Sequence, residues 1–157
     1  MDIGTFYGFF SATCFTLVGL WWGVVQQHPG WMRDDALRRT VGGVYLAFFL
    51  PALMGLFAQV GGASAPSFWR MSFVVVAVVG CCATVRLFGL TRGSGASAAT
   101  YQLAACGLYA VVALLGVVPE LAEPLDLTPL QAEAIVLILL IVLAHGLVWE
   151  FMSRQSG

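Results

Sequence analysis

Three ionisable side chains fall inside long apolar runs of this 157-residue chain: Arg86, His145 and Glu150. Hydrocarbon penalises such groups, so an intramembrane ionisable residue is a functional candidate by default. His145 lies about seven residues, roughly 10 Å along a helix, from the end of its run. At that depth it can make an interhelical hydrogen bond, or it can serve as a proton or gating site. Arg86 and Glu150 lie nearer the ends of their runs, where long side chains reach the interface by snorkelling. His145 and Glu150 are separated by about 140° around a helix, so they form no relay along one face.

A second group is acidic. Between Pro119 and Pro129 stand Glu120, Glu123 and Asp126 with no basic residue among them, and Glu133 follows one turn later. Around an assembly axis these four would form a ring that concentrates cations at a pore mouth; on a single chain they form a solvated acidic loop. Asp34, Asp35 and His28 make up a third, looser group. His28 has no Cys, Asp or second His at metal-ligand spacing and reads as a loop residue.

The cysteines, Cys14, Cys81, Cys82 and Cys106, all lie in apolar runs without C-x-x-C spacing. They read as small packed residues and not as disulfides or metal ligands. Gly93-Ser94-Gly95-Ala96-Ser97-Ala98 matches the G-x-G-x-x-A form of the dinucleotide fingerprint, but it follows an apolar helix instead of a strand, so it reads as a linker. No nucleophile elbow, phosphate loop, zinc-protease or haem-attachment motif occurs. No cofactor is expected.

The elements that position these residues are set by composition. Apolar residues make up 60% of the chain and charged ones 10%, with a mean hydropathy of +0.91. Soluble domains carry about a quarter charged residues. The expected class is an all-α integral membrane protein, residues 1–157 forming one membrane domain. Five spans are expected at about 4–26, 40–61, 68–90, 99–118 and 129–152, each long enough to cross roughly 30 Å of hydrocarbon. The first apolar stretch exceeds a signal-peptide core and lacks a basic leader, so it is expected to remain as a helix. A net charge of −1 gives no electrostatic footprint for nucleic acid.

Arginine placement orients the bundle, because short loops rich in basic residues stay cytosolic. Arg33, Arg38, Arg39, Arg86, Arg92 and Arg154 fall on one side and only Arg70 on the other, together with Asp2 and the acidic loop. The N-terminus is therefore expected outside and the C-terminus in the cytosol. Thr128-Pro129-Leu130-Gln131 is a capping box that starts the fifth span. Asp34 and Asp35 precede Arg38 and Arg39 by four residues, which predicts two ion pairs in a helical lead-in to the second span. Trp21, Trp22, Trp31 and Trp149 are expected to anchor the cytosolic interface, Phe68 and Trp69 the outer one.

Small residues let helix backbones approach in lipid. Gly4 with Gly8, and Gly19 with Gly23, make the first span an interior or interface helix. Gly43, Ala47, Pro51 and Gly55 form a seam on the second, with a kink expected at Pro51. The fifth span, apolar on every side from Ile135 to Leu143, is expected to meet lipid over most of its surface.

Together these features predict a homo-oligomeric channel or small-solute conduit in a bacterial inner membrane, favouring cations. Its partners would be the lipid bilayer and further copies of the chain. The alternative is a non-catalytic accessory subunit docked on a larger membrane protein. A membrane enzyme is disfavoured because acid, base and metal groups are scattered. A proton-coupled transporter is disfavoured because mid-membrane charges are few. The absence of Lys and Asn beside abundant Ala, Gly and Val suggests a bacterial source.

Overall fold

The computed structural model describes residues 2–61, 64–90 and 96–155, leaving aside the side chains of 88–90 and 96–99. Six α-helices and one 3₁₀ segment follow in order: α1 (Ile3–Gln27), α2 (Gly30–Arg33), α3 (Asp35–Gly61), α4 (Pro66–Leu90), α5 (Ala96–Val117), the 3₁₀ segment Pro119–Leu125, and α6 (Pro129–Gln155). No strand occurs among the described residues. All α-helices but α2 are long and apolar enough to cross a membrane, which fits a multi-pass membrane protein. Arg92 and the Gly93–Gly95 part of the expected linker lie outside the described residues, and the other half of that linker, from Ala96, is already the first turn of α5.

Local chemistry fixes the helix starts. Asp2 caps α1, its carboxylate accepting the Gly4 and Thr5 amides at 3.1 and 3.4 Å. The Thr128–Gln131 capping box closes reciprocally: the Thr128 amide donates to Gln131 Oε1 at 2.9 Å and the Gln131 amide to Thr128 Oγ1 at 3.3 Å. Asp34 behaves differently from its sequence expectation. It caps α3 by accepting the Ala36 and Leu37 amides at 2.8 and 2.9 Å, and Asp35 then pairs with Arg38 at 2.7 Å, one residue closer than expected. An orphan amide at a helix start is a better partner for a short carboxylate than an exposed guanidinium.

The long helices alternate in direction. Gly43 of α3 meets Leu87 of α4, Gly80 of α4 meets Tyr109 of α5, and Gly146 of α6 meets Tyr101 of α5. Helices α3 to α6 thus form an antiparallel four-helix bundle, and α1 lies against the outer side of α3 with a lesser contact to α6. Termini of α1 and α6 pair at both ends. At the end carrying the acidic loop, the Tyr7 hydroxyl donates to the Leu130 carbonyl at 2.8 Å. At the opposite end, which carries most of the arginines, Trp21 and Trp31 pack against Phe151.

The small-residue seam of α3 is used within the chain. Gly43, Pro51 and Gly55 are buried, and a side chain at Gly55 would meet Ser11 and the Tyr7 carbonyl of α1. Helix α3 continues through Pro51 as an unbroken helix. The seam of α1 divides. Gly8 faces Gln59, whereas Gly19 and Gly23 have nothing within 4 Å. Helix α1 thus lies at the edge of the bundle, with one face, including Tyr7 and Ser11, packed on α3 and the part of its seam at Gly19 and Gly23 left open among the described residues.

Tryptophan placement also differs from expectation. Trp22, Phe68 and Trp149 are exposed, as membrane anchors should be. Trp21, Trp31 and Trp69 are buried in the protein. Trp21 explains why: its indole N–H donates to the Val41 carbonyl at 3.1 Å, and its ring lies against Trp31.

Arg70, the one arginine at the acidic end, has a local task. Its Nε donates to the Gly116 carbonyl at 2.8 Å and Nη2 to the Val117 carbonyl at 3.0 Å, capping the C-terminus of α5. A cation there meets both the orphan carbonyls and the negative end of the helix dipole. Arg70→Met is expected to lower the unfolding free energy by about 1–2 kcal/mol, from the lost charged hydrogen bonds and dipole contact, measured by denaturant titration in detergent micelles. No change would show that the cap is idle.

Candidate functional site

The four acids expected at a common mouth are not together. Glu120 and Glu123 on the 3₁₀ segment and Asp126 at its end are exposed. Asp126 adopts φ 52°, the left-handed conformation that ends the segment, and its amide bonds to Glu123 O at 3.0 Å. Glu133 faces the other way. It is 0% exposed, and neither carboxyl oxygen has a hydrogen-bond partner among the described residues. Four residues past the start of α6, it points into the bundle instead of out of it.

The reason lies in the register of α6. Glu133, Leu137, Leu140 and Ala144 are all buried and follow one another at spacings of four, three and four, a single helical face. Ile135, Ile138, Leu139 and Val142 fall on the opposite side and are exposed, which agrees with the lipid-facing surface expected of this helix. Tyr7 of α1 reaches α6 one turn before Glu133, its hydroxyl donating to the Leu130 carbonyl at 2.8 Å. Phe73 of α4 stands edge-on against Tyr7, and Trp69 edge-on against Phe73. The Glu133 carboxyl has no accessible surface, and leaving a buried polar group unmet is destabilising.

Further along the same face of α6 lies a cavity of about 60 Å³ at the arginine end of the bundle. It lies between α3, α4, α5 and α6, with Leu140 and Ala144 contributing to its wall. Most of the lining is apolar; Thr84, Tyr101, Gln102 and Tyr109 supply the polar groups. The Thr84 hydroxyl is engaged with the Gly80 carbonyl at 2.8 Å. Gly80 is required here because a Cβ would lie 2.6 Å from the Tyr109 ring. Glu133 and Leu140 are seven residues apart, about 10 Å. Between the carboxyl and the cavity stand tightly buried apolar residues, Leu137, Met54 and Val112.

No known protein family, curated protein or solved structure matches the chain. The functional reading therefore rests on this arrangement alone.

The remaining candidates are dispersed. His145 lies on the exposed side of α6 with Nδ1 2.8 Å from the Ile141 carbonyl oxygen of its own helix, and its ring stands edge-on to Phe48. Its hydrogen bond is thus within the helix, not to a neighbouring one. Glu150 pairs with Arg154 at 2.8 Å one turn on, and Arg86 is exposed on α4. His28 stacks on Trp31 at 4.3 Å. Among the described residues no three His, Cys, Asp or Glu side chains converge as metal ligands would.

Three features were not read from the sequence. Tyr7 joins α6 at Leu130 across 123 positions, which no local pattern reveals. The polar lining of the cavity comes from α4 and α5, whose small and aromatic residues show no polar stripe. Cys81 and Cys106, read as separate packed residues, bring their sulfurs to 3.0 Å; only the pairing of α4 with α5 could have matched them. A clue to Glu133 did exist, since it shares a helical face with Ala144, the small residue a packed interior favours.

Proposed function

We propose that the protein is a homo-oligomeric cation conduit of a bacterial inner membrane, with its N-terminus outside and its C-terminus in the cytosol. The buried, unpartnered carboxyl of Glu133 carries this reading. It lies beneath the exposed acids Glu120, Glu123 and Asp126 and on the same α6 face as the cavity wall. These groups form a line through one subunit: acids that gather small cations at the outer mouth, a carboxyl that receives one, and a cavity toward the cytosol. Exposed acids raise the local cation concentration by focusing the field, and intramembrane carboxyls mark ion paths. The Leu137–Met54–Val112 layer closes the line in this conformation and must part for conduction. The arginine-rich end supports the orientation through the positive-inside rule. The chemistry is passage of a small cation, the proton included, and needs no catalytic group.

Flux in proteoliposomes tests it. Purified protein should pass protons or alkali cations, and Glu120→Gln/Glu123→Gln should reduce the rate most at low salt, where the mouth's field is least screened. Equal rates with empty vesicles at every pH and cation would overturn the reading.

A second reading, an accessory subunit of a larger membrane protein, is favoured by the uncovered face of α1. Gly19 and Gly23, with exposed Ala12 and Thr16, leave room for another backbone, and small-residue faces are how helices associate in lipid. Gly19→Leu/Gly23→Leu is expected to leave the stability of the isolated chain within about 0.5 kcal/mol while shifting its particle size in mild detergent. A shift from a pure oligomer to a monomer supports self-association. Loss of a stoichiometric foreign protein from the native particle supports the accessory role.

A further inference from the structure

The thiols of Cys81 and Cys106 face each other across the contact between α4 and α5, the most extensive helix pairing in the protein. Their sulfurs are 3.0 Å apart, closer than two unbonded sulfur atoms ordinarily rest. Both residues are half-buried, Cys14 is buried elsewhere in α1, and Cys82, the immediate neighbour of Cys81, is exposed on the other side of α4. The approach is built into the helices: Gly80 admits the Tyr109 ring from α5 on one side of the pair, and Gly116 admits Val74 and the Arg70 carbonyl further along. Cys81 therefore has one partner set by the fold, while the adjacent thiol has none within the described chain.

Depth decides what can reach this pair. Cys81 lies nine residues (90 − 81) before the end of α4 and Cys106 ten (106 − 96) after the start of α5, about 14 Å from the end that these two helices share. In the orientation proposed above, that is inside the hydrocarbon layer, on its cytosolic half. Glutathione and other water-borne thiols do not enter there, whereas oxidised acyl chains do.

We propose that Cys81 and Cys106 form an oxidisable dithiol that closes to a disulfide within the bilayer, with lipid hydroperoxides as the oxidant. In the first step one cysteine sulfur attacks the O–O bond of the hydroperoxide, giving a sulfenic acid on the protein and releasing the lipid alcohol. In the second, the other sulfur attacks the sulfenic sulfur; an S–S bond forms, and the thiol proton leaves with the hydroxyl as water. Two thiols are oxidised by two electrons and one peroxide is reduced. A sulfenic acid with a resolving thiol at contact distance follows this course in preference to overoxidation. Because Gly80 and Ala105, the residues next to these cysteines, line the cavity, the bridge fixes α4 to α5 along the cavity wall.

The test uses the full chain in liposomes treated with cumene hydroperoxide, followed by alkylation, digestion and mass spectrometry without reductant. The expected result is loss of two of the four alkylatable thiols, recovery of a peptide joining Cys81 to Cys106 within one chain, and reversal by a phosphine reductant. Cys82→Ser should form the same link to the same extent. Cys106→Ser should form no link and should instead leave Cys81 as a sulfenic acid that dimedone traps. The proposal is overturned if all four thiols remain alkylatable at a dose that oxidises the methionines. It is equally overturned if the linked peptides join Cys82 or Cys14, or join separate chains. The wild-type thiol count decides the matter even if the Cys106 variant does not fold, and it is independent of whether any cation is conducted.

Discussion

Replacing Glu133 with leucine should make the protein more stable and unable to conduct. Leucine fills much the same volume, and it removes a carboxyl whose two oxygens meet no donor among the described residues. The expected gain in unfolding free energy is about 1–3 kcal/mol, the ordinary penalty for an unmet buried polar group. Denaturant titration in micelles reads the stability, and cation flux in liposomes reads the function. Glu133→Gln separates the two effects: it keeps the shape and a polar end, so its stability should stay close to wild type while its flux falls with that of the leucine variant. Should the leucine variant unfold more readily than wild type and still conduct, Glu133 would be a structural group and the conduit reading would lose its central residue.

The second large effect concerns how Glu133 is covered. At Gly55 a Cβ would fall on the Ser11 hydroxyl and lie 3.3 Å from the Tyr7 carbonyl oxygen. Ser11 itself donates to the Ala52 carbonyl at 3.2 Å, one turn away. Neither backbone can retreat while α1 stays seated, so Gly55→Leu should lower stability by about 3 kcal/mol, the upper end of overpacking effects. It should also lift Tyr7 away from Glu133 and admit water to the carboxyl. Gly42→Leu is the matched control, because nothing lies within 4 Å of a side chain there, and its effect should be within about 0.5 kcal/mol. Tryptophan fluorescence during unfolding distinguishes the variants. Equal stabilities would mean that α1 is not held against α3.

The helices were legible in the sequence because each is governed by a local pattern. Apolar runs of sufficient length and the Thr128 capping box sit where hydropathy and orphan amides require them, whereas Asp34, read as an ion-pair partner, caps α3 instead. Their faces were less legible. Span five is apolar all round, so hydropathy alone could not show that Glu133, Leu137 and Leu140 form the inner stripe; only Glu133 itself breaks the symmetry, and the charge rule grouped it, one turn into the span, with the acids of the outer side. Trp21, Trp31 and Trp69 misled for a related reason. An indole serves equally well at a membrane interface and in a packed core with a carbonyl acceptor, and which one applies depends on a partner distant in sequence. The cysteine pair belongs to the same class, as its proximity is a property of the α4–α5 register.

The clasp between first and last helices also bears on how the chain is made. Tyr7 bonds Leu130 across 123 positions, and Trp21 and Trp31 wait for Phe151, which lies close to the C-terminus of the sequence. During synthesis α1 can settle on α3 before α6 is made, but Tyr7, Trp21 and Trp31 stay without their partners Leu130 and Phe151 until α6 follows. A chain stalled or cut before α6 would therefore lack the contacts that fix α1 at both of its ends.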